Sequence, residues 1–119
     1  MAKSTWAQYS SGFTDADTAL VDRMREIVDP LDGVTENVTV TQVTWKRTRI
    51  FTSGYIKSHN VEVAIDLLRT ENHPLLKAAF PTSKQIITHR FTIHSLEEFD
   101  DSIAALVVEA WETVGPGFR

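Results

Sequence analysis

RTRIFTSGYIKSHNVEVAIDLLR, residues 47–69, is the stretch on which the reading of the fold turns. Two runs rich in β-branched and aromatic residues, Arg47 to Lys57 and Val61 to Arg69, are joined at Ser58, His59 and Asn60, the pattern of a β-hairpin. The length of the loop fixes which faces the side chains take, because a slip of one residue turns every side chain over. A three-residue loop sets Lys57 against Val61, Tyr55 against Val63 and Phe51 against Leu67, sending the aromatics into the core. A two- or four-residue loop pairs Tyr55 with Ala64, Ser53 with Asp66 and Phe51 with Leu68, and the four-residue form adds Lys57 opposite Glu62. Ile50 and Ile56 then turn inward with Val63, Ile65 and Leu67. In that register Arg47, Arg49, Phe51, Tyr55 and Lys57 share one parity and form an outward strip of cations and rings, which suits phosphates and stacked bases.

Towards the N-terminus, Val38 and Val40 alternate with Thr39 and Thr41, and Val43 and Trp45 follow after a parity shift at Gln42. This reads as a strand from Asn37 with a bulge. Before it, Leu20, Met24, Ile27, Val28 and Leu31 recur at helical spacing behind Thr14, Asp15 and Asp17, predicting a helix over 15–30 closed by Pro30 to Gly33. Met1 to Gly12 is polar apart from Trp6 and Tyr9, and residues 1–13 read as a tail or irregular lead-in.

Towards the C-terminus, Glu71 to Pro81 reads as a connection with Pro74 and Pro81 at its ends, and Lys84 to His94 as a fourth strand. Along it Thr88, Arg90, Thr92 and His94 form a polar row, and Ile87, His89, Phe91 and Ile93 an apolar one. Ser95 and Glu98 form a capping box. The stripe Leu96, Phe99, Ile103, Leu106, Val107, Ala110, Val114 predicts a last helix stopped by Gly115 and Pro116. The expected fold is α+β: one domain over 14–115, a two-layer sandwich of an antiparallel sheet of about four strands flanked by an N-terminal and a C-terminal helix, with 116–119 as a tail.

The composition narrows the chemistry. The chain has 119 residues, 42% of them hydrophobic, and no cysteine, which excludes disulfide scaffolds, Cys-based zinc sites, iron–sulfur clusters and thiol nucleophiles. No signal-peptide core and no apolar run of membrane-spanning length occurs, so a cytoplasmic location without membrane association is the expectation. The net charge of -4 conceals a pattern. Residues 1–44 carry three basic and seven acidic side chains (-4), residues 45–94 eight and three (+5), and residues 95–119 one and six (-5).

The run Thr88, His89, Arg90, Phe91, Thr92, Ile93, His94, Ser95, Leu96, Glu97, Glu98, Phe99, Asp100, with Ala110 and Trp111 further on, resembles the C-terminal signature of the domain of unknown function 5655 family. Lys46, Arg47, Arg49 and Phe51 match that family's basic strand leading to a Phe, whereas Ser53, Gly54 and Tyr55 depart from it. The resemblance extends from Thr14 to Val114. It implies the α+β fold and little chemistry: related domains occur alone, in proteins labelled predicted transport components, and as extra modules in restriction-like proteins, with no agreed catalytic residues.

Specific chemistries fail on spacing. His89 and His94 lie five apart and point to opposite faces of a strand, and His59 and His73 sit in a turn and beside a proline, so no metal or other cofactor is expected. No Glu-x-Lys or Asp-x-Lys occurs, against a restriction-type nuclease. Gly-x-Ser-x-Gly, the phosphate-binding loop and the dinucleotide fingerprint are also missing. The expectation is a non-enzymatic binding or interaction module whose basic sheet segment takes an anionic ligand, such as nucleic acid, or a protein partner. The candidate residues are Arg47, Arg49, Tyr55, Lys57, His89 and Arg90, with no catalytic residue assigned. The alternatives are a homodimer joined through an open sheet edge or face, and a small enzyme pairing His89 with Glu62 or Asp66. Trp6 and Trp45, less constrained by any periodic element than Trp111, are candidates for an interface.

Overall fold

The computed structural model describes residues 4–117. Its elements are α1 (Trp6–Tyr9), α2 (Asp15–Val28), β1 (Thr35–Val38), β2 (Val43–Lys46), β3 (Ile50–Lys57), β4 (Asn60–Leu67), β5 (Leu76–Pro81), β6 (Ile87–Ile93) and α3 (Asp101–Thr113). The fold is α+β with one antiparallel sheet, but the sheet has six strands in the order β1-β2-β3-β4-β6-β5, not about four.

Both extra strands come from segments read otherwise. The parity shift at Gln42 is a turn, not a bulge: Thr39 N donates to Gln42 O across it, the Thr39 Oγ1 donates to the same carbonyl and accepts from Gln42 N, and one expected strand becomes the pair β1 and β2. The proline-bounded connection Leu76–Pro81 pairs with β6 and forms a sheet edge.

The hairpin loop holds two residues, Ser58 and His59, with φ of 52° and 65°, the left-handed pair of a type I′ turn. Tyr55 therefore opposes Glu62, and Ser53 opposes Ala64. The two-residue loop thus gives the expected faces at Tyr55 and Ser53, with each pairing two residues nearer the turn. Further along β3 the parity breaks. Trp45 pairs with Thr52 but Lys46 with Ile50, so Phe51 is left over as a bulge and enters the core with no exposed surface. Ile50, expected inside, lies outside and exposed.

The two long helices fill one side. Leu20, Met24, Ile27 and Val28 of α2 and Ile103, Val107 and Ala110 of α3, with Val114 behind, pack with Val43, Val61, Val63, Ile65, Leu67, Phe91 and Ile93 of the sheet. Burying one such side chain is worth roughly 1.5–3 kcal/mol, and this layer is the main source of stability. α2 opens on the expected cap: Thr14 Oγ1 accepts from Asp17 N, and Asp17 Oδ2 accepts from Thr14 N. α3 begins later than expected. Ser95 Oγ caps a turn through Glu98 N, Glu98 returns its carboxylate to His94 N, and the helix is capped by Asp100, leaving Leu96 exposed. The lead-in read as tail holds the one-turn α1, whose Trp6 and Tyr9 pack against the core.

Candidate ligand-binding face

Because α2 and α3 both lie on one side of the sheet, no helix of the described residues covers the other. The register fixes what that side presents. One row crosses all six strands as Asn37, Thr44, Ser53, Ala64, Arg90 and Ala78. Thr44, Ser53, Ala64 and Ala78 are short, so Arg90 is the one long side chain of that row. The row beside it carries Tyr55, Glu62 and Thr92, and the row on the other side Asp66, Thr88 and Phe80.

Glu62 lies at the centre of the polar cluster. Its side chain is only 5% exposed although it stands on the open face, because longer neighbours lie over it. Arg90 Nη2 donates to Tyr55 Oη at 2.5 Å and stands 3.9 Å from Glu62 Oε1, while Lys77 Nζ approaches that same oxygen at 3.5 Å. Neither cation forms a hydrogen bond to Glu62 Oε1, and Thr92 Oγ1, on the residue opposite Glu62, is also buried without a hydrogen bond. The pairing is loose: two cations share one carboxylate, and their remaining N–H groups are available to an incoming anion.

At the Asp66 end, Thr88 Oγ1 donates to Asp66 Oδ1 at 2.7 Å and also meets Thr82 Oγ1. Burial pushes the Asp66 carboxyl above its ordinary range, and the Thr88 hydrogen bond and the nearby Arg49 charge offset this only in part. Among the described residues Lys46, Lys57, Lys77 and Arg90 on the open face, with Arg49 at the Asp66 groove, thus stand against the carboxylates of Glu62 and Asp66. The helices carry the opposite sign. α2 has four acidic and two basic residues, and α3 has three acidic and no basic residues. The basic middle of the sequence is in space a basic sheet face backed by an acidic helical layer.

The six sequence candidates part company here. Tyr55 and Arg90 touch each other on the open face, and Lys57 lies on the same face beside the turn. Arg49 lies in the β2–β3 turn and lines a groove with Lys46, Thr48, Ile50 and Asp66. Arg47 faces away from the cluster: its Nη1 donates to Trp111 O at 3.2 Å and its guanidinium lies 4.5 Å over the Trp111 ring, where a cation completes the C-terminal end of α3. The continuous strip of cations and rings does not form, because the Phe51 bulge and the turn before it divide it.

His89 is on the core side with no exposed surface. Its Nε2 accepts from Glu71 N at 3.0 Å and its Nδ1 donates to Ile87 O at 3.0 Å, so both ring nitrogens are occupied by backbone. The sheet separates it from both Glu62 and Asp66, which stand on the open face, so neither of the two expected acid–base pairs is assembled. Trp45 is buried and Trp6 is partly buried, and both indole N–H groups donate to Glu36, at 3.1 and 2.6 Å, so neither offers an interface. Among the described residues no group of three or more His, Asp or Glu could hold a metal, and no helix is long and apolar enough to cross a membrane.

Lys77 and Thr92 were not among the sequence candidates. Lys77 sits in the segment read as a connection, and its role depends on a strand pairing that no local pattern announces. Thr92 was recognisable only as a member of the polar row on β6.

The model of the family described as Domain of unknown function (DUF5655) matches residues 7–114. No curated protein matches the chain, and no solved structure matches it.

Proposed function

For a chain that belongs to the domain of unknown function 5655 family, we propose a non-enzymatic binding role in which the open sheet face takes an acidic segment of a protein partner. The observation that carries this reading is the cluster of Arg90, Lys77 and Tyr55 around Glu62 on an uncovered face, beside a floor of short side chains. Charges of one sign on such a face steer and orient a partner of the other sign. An acidic polypeptide fits this face better than nucleic acid. Bases need several rings to stack on, and with Phe51 in the core Tyr55 is, among the described residues, the ring bonded to the cation cluster, while Phe80 stands apart at the β5 edge.

The test is a titration of the protein with a fluorescent polyglutamate peptide and, separately, with a single-stranded oligonucleotide, at about 50 and 200 mM salt. The peptide is expected to bind, more weakly at the higher salt, and Arg90→Glu with Lys77→Glu should abolish the binding without loss of folded structure. Tighter binding of the oligonucleotide replaces the protein partner with nucleic acid. Failure of both at low salt overturns the reading.

A further inference from the structure

The two edges of the sheet are unlike. At β1 the chain ahead of α1 lies alongside, with Ser4 N donating to Val38 O at 2.9 Å, and Trp6 is tied to Glu36. At β5 only the inner side is paired, and Lys77 through Pro81 are exposed, Phe80 to 43%. Proteins guard such edges with charges, bulges and proline. Here the bulge falls at Lys77, and the Lys77 ammonium is drawn towards Glu62. Pro81 lies at the end of the strand, so Ala78, Ala79 and Phe80 form an uncharged, accessible edge.

We propose that the β5 edge is the interface between two copies of this chain, paired antiparallel about a two-fold axis at Ala79. Each Phe80 then stands opposite Ala78 of the second copy, large against small, on the open face. Ala78 is also in register with Arg90, so that Phe80 ring joins the open-face row that holds Arg90.

Charge selects the antiparallel arrangement. The Pro81 end of β5 carries Lys84 in a groove with Leu68 and Ile87, whereas the Leu75 end opens onto Glu97, Glu98 and Asp100. Antiparallel pairing brings Lys84 of each copy towards the acidic end of the other, and does so twice. Parallel pairing sets like ends together and matches neither. The two-fold arrangement also closes on itself, so it gives a dimer and not a filament. In the dimer the two open faces join across the β5 pair into one surface.

Sedimentation of the full chain from about 10 μM to 1 mM should show a monomer–dimer equilibrium. Phe80→Glu should raise the dissociation constant about tenfold or more, since a buried ring is lost from each side of the axis. Lys84→Glu, at an exposed position outside the core, should weaken the dimer in the same direction and stands in if the first variant folds poorly. The chain has no cysteine, so Ala79→Cys places a single thiol per chain at the axis and should cross-link the dimer under mild oxidation, while Ala64→Cys, in mid-sheet, should not. A strict monomer at 1 mM overturns the proposal, as does a dimer indifferent to Phe80→Glu and Lys84→Glu that does not cross-link through Ala79→Cys.

Discussion

His59 Nδ1 stands 3.1 Å from Asp17 Oδ2, bringing the β3–β4 turn onto the first turn of α2, 42 residues earlier in the chain. The contact explains why a hairpin that requires two residues with positive φ carries Ser and His in place of the usual Asn and Gly. The imidazole offsets the strain by docking the turn on a helix N-terminus where the Asp17 carboxylate completes the capping box with Thr14.

Asp17 should therefore be the acid-sensitive point of the fold. Burial alone would raise its pKa, but hydrogen bonds from Thr14 N and His59 outweigh it and hold the carboxyl below the ordinary range. A depressed folded value contributes stability that is present above the unfolded value of about 3.9 and is lost as pH falls through the folded one. Asp17→Asn should lower the unfolding free energy at neutral pH and flatten its decline below about pH 4. Denaturant titrations at several pH values check this.

Gly115 should tolerate no side chain. A Cβ there would stand 2.4 Å from Trp111 O and 3.2 Å from Arg47 Cβ, both held by the bond from Arg47 to the end of α3. The Gly115 carbonyl also accepts from Thr48 N and Arg49 N, at 2.7 and 2.9 Å, so the backbone cannot simply move away. Gly115→Ala is expected to cost about 2 kcal/mol or more, read as a fall in the denaturation midpoint with an unchanged slope.

His89→Ala should unfold the protein more readily without touching binding. It leaves a cavity in the core and strips Glu71 N of its acceptor, for a cost of about 2–4 kcal/mol. Polyglutamate affinity of the folded fraction should stay within about twofold of the parent, a difference of less than half a kcal/mol.

Asp66→Asn is expected to stabilise the fold and, unlike His89→Ala, to change binding as well. A carboxylate whose pKa is raised by burial opposes folding above its unfolded value, and the penalty grows as pH rises through the folded value. Removing it should stabilise the protein by up to about 1 kcal/mol at neutral pH, mainly because the group is then neutral. It should also tighten polyglutamate binding, because the open face loses one of its two carboxylates. Thermal denaturation and the peptide titration measure the two effects separately.

The sequence made α2 and the core stripe of α3 legible because their apolar residues repeat over several turns and each needs only its own neighbours. The inward and outward rows of β6, and with them the placing of Arg90 and the burial of His89, followed from period two alone. What failed depended on partners. β5 is six residues that end on Pro81 and begin two after Pro74, with two alanines and a lysine, and nothing marks it as a strand until β6 lies beside it. The turn at Thr39–Gln42 and the bulge at Phe51 each change parity by one residue, and the second scattered the expected cationic strip. The Glu62–Lys77 contact joins residues from β4 and β5 across β6, so no spacing along the chain could report it.

The strand order has a further consequence, for the way the chain assembles. β1 to β4 are joined by successive hairpins, and β5 and β6 by another, so the β4–β6 seam is the one pairing in the sheet between strands not consecutive in sequence. α3 follows β6 and lies back across β3 and β4. The molecule is thus two interlocking halves, residues 4–69 and 76–117, linked through 70–75. Non-local seams form slowly. A nick in that link should leave two fragments that recover the fold when mixed, each supplying the surface on which the other becomes ordered, and refolding of the intact chain should be limited by the closing of that one seam.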